Sequence, residues 1–528
     1  MAATATAPAD LSSQVTKGVN PWIIAASVML ATFMEVLDTA IASVALPYIA
    51  GSLSASNDEA TWVLTSYLVA NAVMIPASGW MALRFGRKKY LIICVIIFTV
   101  ASFFCGAAPT LGIMLFSRAV QGAGGGALQP LSQAILLESF PPAKRAAALA
   151  VFALGVVVAP VLGPTLGGWL TDSYSWRYAF YINIPVGILA VFMMGRFIHD
   201  PPYIKQAKVS AFDKIGFGTL LVWTGLLQVI LDKGQEDDWF GAMWIRWCTL
   251  ILVSAFLWFC IHSWRNPTPL VNLRVLKNRN FAIGCLLISL FGVAIYSTIT
   301  ILPLFYQELL GYTAFTAGLA VFPRGLGSIA GMPLIGYLAG KYDPRILLTC
   351  GFMTFGITCI YFGNLTLDIS PTTLLWPIVT TGLALSFVFV PINSVAYGTL
   401  RNEQIGNASG LFNLMRNVGG SIGISVAQTL LTRRAAYHQS EMTNALPAGG
   451  TQLAQAFSRN QHALTGFFGP ANVAQPAQAS IYNQLLRQAS AWSFVEVFRW
   501  LAALCFFCVA VVWLLKKVRP GKAPAGAH

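Results

Sequence analysis

The sequence predicts an all-α membrane protein of fourteen spanning helices, and three observations lead there. The chain has 528 residues, 56% of them hydrophobic and only 10% charged, where a soluble domain carries about 25% charged residues. Apolar runs recur along nearly its whole length, each near the roughly 20 residues that cross a hydrocarbon core, and the mean hydropathy is +0.67. The basic residues cluster between alternate runs instead of scattering, which is how a multi-pass protein marks its inner loops.

The spans follow in order. Residues 22–49 and 60–82 make the first pair and lead into the basic turn Arg84, Arg87, Lys88 and Lys89. Next come 90–108 and 111–137, then 146–170 after Lys144 and Arg145, then 177–197. Residues 213–231 and 244–264 flank an acidic outer loop, 232–243, with Asp232, Glu236, Asp237 and Asp238. Beyond a second basic stretch lie 281–308, 314–339, 345–363, 371–398 and 407–437, and 491–515 closes the series.

With the N-terminus inside, the inner loops also hold Lys205, Lys208, Lys214, Arg265, Arg274, Lys277, Arg279, Lys341 and Arg345, and the tail adds Lys516, Lys517, Arg519 and Lys522. The even count then puts both termini in the cytoplasm. It also accounts for the net charge of +14 without nucleic acid, because anionic lipid head groups attract such loops. The first 20 residues lack a basic region followed by a short apolar stretch and a cleavage site. The first span is therefore expected to serve as an uncleaved insertion signal.

The nine cysteines fall inside apolar runs and read as small packing residues. Cys505 and Cys508 have CxxC spacing but no second pair or nearby histidine, so neither redox chemistry nor zinc is expected. Residues 438–490 lie outside and are Gln/Asn/Ala-rich, long for a connection between packed helices. Two readings apply: a solvated, partly helical excursion, or a docking surface for a periplasmic partner.

A repeat is visible. Gly79 to Lys89 resembles Gly336 to Arg345, about half a chain later, each after a span rich in Gly and Pro. Two parallel halves with a site between them is a transporter arrangement. The expected organisation is a cytoplasmic tail (1–21), a six-helix bundle (22–197), a linker with two extra spans (198–278), a second bundle (279–515) and a tail (516–528).

Several motifs carry a family likeness. Gly79…Gly86-Arg87-Lys88, Arg118…Gln121-Gly122…Gly124 and Gly155…Pro160…Gly163-Pro164…Gly167-Gly168 resemble the loop, buried-arginine and antiporter motifs of the major facilitator superfamily. Leu37-Asp38-Thr39…Ala45-Leu46-Pro47 and Ser175-Trp176-Arg177…Asn183…Pro185 resemble its 14-helix drug:proton antiporter branch, of EmrB/QacA type. Pro323-Arg324-Gly325 and Asn413…Arg416…Gly419-Gly420-Ser421 extend the match into the second half.

The likeness implies a major facilitator fold of two six-helix bundles plus two additional helices. It implies proton-coupled multidrug efflux across the inner membrane by alternating access. The implied partners are a periplasmic membrane-fusion adaptor of EmrA type and an outer-membrane channel. It also implies a gating role for Gly79, Gly86, Arg87 and Lys88 with Asp343 and Arg345 of the second copy. This chain departs from the loop motif at one point: its usual acid is Leu83 here.

The residues have physical readings of their own. Repeated Gly and Pro in the fifth span allow close backbone approach and a bend. Gly122 to Gly126 superficially resembles a phosphate loop but lacks the following Gly-Lys-[Ser/Thr] and sits mid-membrane. No other such motif occurs, so an ion gradient and no cofactor is the expected energy source. Arg118, Arg324 and Arg416 each need a buried partner or a water-filled cavity, or else snorkel to the surface.

Glu35 and Asp38 raise the sharpest question, since carboxylates inside a span are costly and mark function. Three residues apart on a helix, they face within about 60° and differ in depth by roughly 4.5 Å. Asp38, which the likeness supports, is expected to be the main proton carrier, with Arg118 favouring its charged form. Glu35 is expected to carry a second proton or attract cationic drugs, or else to be a hydrogen-bonded polar residue of the cavity. Apolar and aromatic walls suit varied hydrophobic ligands, and Trp62, Tyr67, Asn71, Tyr306, Phe387, Asn393, Asn413 and Arg416 are the candidates.

Uptake, or narrow-substrate transport of a fatty acid or metabolite, is the competing reading on the same fold. A membrane-embedded enzyme is disfavoured: His199, His262, His438, His462 and His528 lie in loops, span ends or tails and form no constellation.

Overall fold

In a computed structural model of the chain, the described residues are 18–141, 144–200, 211–367, 369, 371–400, 402–445, 451–468 and 472–517. Expectations for the N-terminal tail up to residue 17, for Lys205 and Lys208, and for Arg519 and Lys522 lie outside them.

The helices begin where the sequence supplies caps. Asn20 accepts from Trp22 N at 3.0 Å and starts α1 (Pro21–Ser52). A capping box between Ser56 and Glu59 opens α2 (Asn57–Phe85), and α3 (Arg87–Ala107) follows Gly86. Thr110 caps α4 (Leu111–Gly125), which stops in the glycine run and resumes as α5 (Leu128–Ser139). The helix α6 (Arg145–Ser173) contains Pro160 and Pro164 and bends by about 40° there. After a single turn at Tyr178–Tyr181, α7 (Asn183–Phe197) completes the first bundle.

Two helices then leave the bundle. Asp213 caps α8 (Lys214–Lys233) and ties it to the end of α9 (Met243–Arg265). Its carboxylate takes bonds from Gly216 N at 2.9 Å and Leu270 N at 3.2 Å, and meets His262 Nε2 at 2.8 Å. The α8 helix packs on α2, while α9 presents Trp247, Leu250, Leu257 and Trp258 outward, as a lipid-facing helix does.

The second bundle holds α10 (Arg279–Leu304), α11 (Ala314–Val321), α12 (Pro323–Leu338), α13 (Pro344–Phe362), α14 (Pro371–Tyr397) and α15 (Asn402–Asn444). After α16 (Thr451–Phe468), α17 (Ala474–Val512) returns to pack on α13 and α15.

Each of the fourteen predicted spans falls on helix. Among the described residues, eleven segments are long and apolar enough to cross a membrane, or twelve with bent α6 taken as one. The other two predicted spans differ for physical reasons. The 111–137 segment is divided by its glycines into α4 and α5, each short of a bilayer. The 407–437 segment is part of α15, whose many polar residues face the other bundle.

At 43 and 39 residues, α15 and α17 run for about 64 and 58 Å, roughly twice the hydrocarbon thickness. They therefore project well past a bilayer, and Glu496 binds them together, 2.6 Å from Arg434 Nη2 and 3.1 Å from His438 Nε2. The expected excursion at 438–490 is helical at 438–444, 451–468 and 474–490, a larger share than its composition implied.

Candidate functional site

The two carboxylates of α1 enter separate networks. Asp38 Oδ2 lies 2.7 Å from Arg118 Nη1, and Asp38 Oδ1 accepts from Gln121 Nε2 at 2.9 Å and Asn183 Nδ2 at 2.6 Å. Arg118 Nε donates to the Val63 carbonyl at 3.0 Å, and Tyr67 lies beneath the guanidinium with its ring centroid at 4.3 Å. Helices α1, α2, α4 and α7 thus converge on one ion pair whose two side chains are fully buried. Arg118 does not snorkel.

Glu35, one turn earlier, faces the other bundle. Its Oε1 accepts from Asn71 Nδ2 at 3.2 Å and Tyr67 Oη at 3.4 Å, and its Oε2 from Gln129 Nε2 at 2.6 Å. None of these partners is charged. Glu35 lines a cavity of about 230 Å³ with Thr39, Tyr67, Asn71 and Gln129 from the first bundle, Gln228 from α8, and Tyr296, Asn417 and Ser421 from the second bundle. Asp38 does not reach this cavity.

Amides and arginines join the bundles across the same plane. Gln129 Oε1 accepts from Arg416 Nη2. Gln133 Nε2 donates to Asn393 Oδ1 at 2.5 Å, and Gln133 Oε1 accepts from Tyr397 Oη at 3.0 Å and Asn413 Nδ2 at 2.9 Å. A smaller cavity of about 60 Å³ lies beside the first, walled by Val156, Pro160, Pro164, Phe291, Ile295 and Phe389, with Arg324 and Arg416 in its lining.

The antiporter-motif glycines bring α6 onto α1. A Cβ at Gly163 would collide with the Ala40 side chain, one at Gly155 would meet Met29 Cγ at 2.9 Å, and one at Gly167 would meet Ile41 Cα at 3.3 Å. Gly168 faces open space. The motif therefore seats the carboxylate-bearing helix through particular glycines.

At the basic-loop end, a Cβ on Gly79 would stand 3.2 Å from the Gly406 carbonyl, so the bundles approach closely there. Arg87 is paired with Glu138 at the end of α5, both side chains buried. Asp200 accepts from Lys88 N at 2.8 Å, and its other oxygen lies 2.8 Å from where a Cβ on Gly86 would stand; Gly86 has φ +85°. Two carboxylates from elsewhere in the chain, Glu138 and Asp200, thus meet the loop in which the motif's usual acid is Leu83. In the second copy, Asp343 caps α13 through Arg345 N at 3.1 Å.

Of the predicted cavity residues, Tyr67 and Asn71 line the Glu35 cavity and Arg416 the apolar one. Asn393 and Asn413 instead join the buried contact between bundles. Trp62 is half-exposed with Lys233 over its ring, Tyr306 is buried against Tyr312, and Phe387 packs at Gly351, all away from both cavities. An aromatic residue in a span faces lipid, core or cavity equally well, so composition could not separate them.

Gln129, Gln133, Glu138 and Asp200 were not anticipated. Three of them lie within or just beyond the predicted 111–137 span, and polar residues there were the available signal.

The comparisons agree with this architecture. The family model described as Major Facilitator Superfamily matches residues 28–424. The chain is 36% identical to the multidrug export protein EmrB of Escherichia coli (strain K12), covering 97% of this chain and 99% of that one. It is 35% identical to the fatty acid resistance protein FarB of Neisseria gonorrhoeae, over 95% of this chain and 97% of that one. The proton:xylose symporter XylE superposes with a TM-score of 0.58 at 14% identity, covering 92% of this chain and 95% of that one.

Proposed function

Because the chain belongs to the major facilitator superfamily, we propose that it exports hydrophobic and amphipathic compounds in exchange for protons, by alternating access of its two bundles. It is a transporter related to efflux pumps, and not an enzyme.

The observation that carries the exchange reading is Glu35. This carboxylate is buried within a span, bonded only to neutral groups, and faces a cavity shared by both bundles. A group so placed exchanges a proton or a cation with whatever enters the cavity. Asp38, paired with Arg118, acts in this reading as the second site, reached when the bundles move apart. Gly79 against Gly406, with Arg87 (held by Glu138 of its own bundle) beside Gly406, forms the contact that opens at the basic-loop end. The second copy, with Asp343 and Arg345, stands at the matching position of the other bundle.

The basic loops support an inner-membrane protein with cytoplasmic termini. The projecting part of α15, α16 and α17 lies at the end opposite Arg87, which supports docking of a periplasmic adaptor there.

Dye accumulation in cells with and without the gene tests the function. Export predicts lower dye in expressing cells and loss of that difference on adding an uncoupler. Equal dye across a broad panel, or an uncoupler-insensitive difference, contradicts it.

A further inference from the structure

The apolar cavity between the bundles contains an unbalanced positive charge. Arg324, near the start of α12, is 1% exposed, and neither Nη1 nor Nη2 has a hydrogen-bond partner. Among the described residues no carboxylate forms an ion pair with Arg324, while Arg416, also in the lining, has the Glu35 carboxylate one amide away beyond Gln129. Arg416 binds the neutral amide of Gln129, and its Nε has no partner. A buried guanidinium without a counter-charge is expensive, and a planar anion satisfies its fork of donors best.

We propose that Arg324 and Arg416 hold the anionic head group of an amphiphile. The proposal deepens the export reading and rests on it. Size favours a head group in this position: about 60 Å³ admits a carboxylate or phosphate and not a whole amphiphile. The walls Pro160, Tyr296 and Ile299 also line the neighbouring cavity of about 230 Å³, where an alkyl chain continues. The same chemistry comes from a free acid or from an anionic lipid, and the test separates them.

Octanoate and octanol share a chain and differ in charge. Saturable binding of each is measured to the full chain in phosphatidylcholine nanodiscs, against empty nanodiscs. Octanoate is expected to bind at least tenfold tighter, with the ratio falling toward one in Arg324→Gln and Arg416→Gln and largely kept in Arg324→Lys. If the glutamine variants do not fold, the wild-type ratio and the lysine variant decide.

Adding phosphatidylglycerol weakens octanoate several-fold if lipid is the occupant and leaves it unchanged if the occupant is a free acid. Either result supports the site. A wild-type ratio near one, or a ratio unmoved by Arg324→Gln, overturns it. Uncoupler-sensitive dye export persisting in that case leaves the export reading standing, while loss of such export with the ratio intact sinks only that reading.

Discussion

Gln129 Nε2 donates to Glu35 Oε2 at 2.6 Å, and the other end of the same amide accepts from Arg416 of the second bundle. The cavity carboxylate and the opposite bundle are therefore one amide apart. Replacing Gln129 by Leu removes both bonds at similar size and leaves Glu35 with its two longer partners. We expect substrate binding to persist, with the yield of proton-driven transport falling about tenfold, as for a lost buried hydrogen bond to a charged group. Substrate accumulation in proteoliposomes under an imposed pH gradient measures this.

The Asp38–Arg118 pair is fully buried, and removing one partner of such a pair costs about 3–5 kcal/mol. Asp38→Asn should lower the melting temperature of the purified protein as well as abolish transport. Asp38→Asn combined with Arg118→Gln should recover part of the stability. Thermal unfolding in detergent reads both variants, and an unchanged melting temperature for Asp38→Asn would contradict the pair's role.

Gly163 and Gly168 belong to one motif but meet different surroundings. Gly163→Ala drives a methyl into Ala40 and separates α1 from α6, at a cost of about 1–3 kcal/mol for overpacking. Gly168→Ala projects into open space and should be neutral within about 0.5 kcal/mol. Transport and melting temperature of the two variants, compared side by side, check the contrast.

Asp213, which the structure places as the cap just before the span Lys214–Lys233, gives a pH-dependence. Burial opposes its ionisation, but bonds from Gly216 N, His262 and Leu270 N outweigh it and hold the carboxyl below its ordinary value of 3.8. Its folded-state value is depressed, so its stabilisation is present above pH 3.8 and is lost as pH falls through the folded value. Wild type should therefore melt above Asp213→Asn at neutral pH and converge on it in strong acid.

The fold was legible because lipid imposes a simple rule on sequence. Each of the fourteen apolar runs falls on helix, and the Gly79 and Gly336 copies pointed to two halves. The Asp38–Arg118 meeting was half legible, since each residue is costly alone in a span. The partner of Arg87 and the isolation of Arg324 were not. Glu138 lies on another helix and no local spacing links it to Arg87. Whether Arg324 finds a counter-charge depends on every helix around it. Gln129 and Gln133 carry no charge, so their bridging of the bundles emerges only once the helices are assembled.

The account turns on Glu35 as the group that exchanges protons from the cavity. The most direct measurement is Glu35→Gln in proteoliposomes, recording proton movement and dye transport together under an imposed pH gradient. The variant should bind dye and equilibrate it passively while losing gradient-driven accumulation and dye-induced proton release. Accumulation and proton release at wild-type rates in Glu35→Gln would contradict the account.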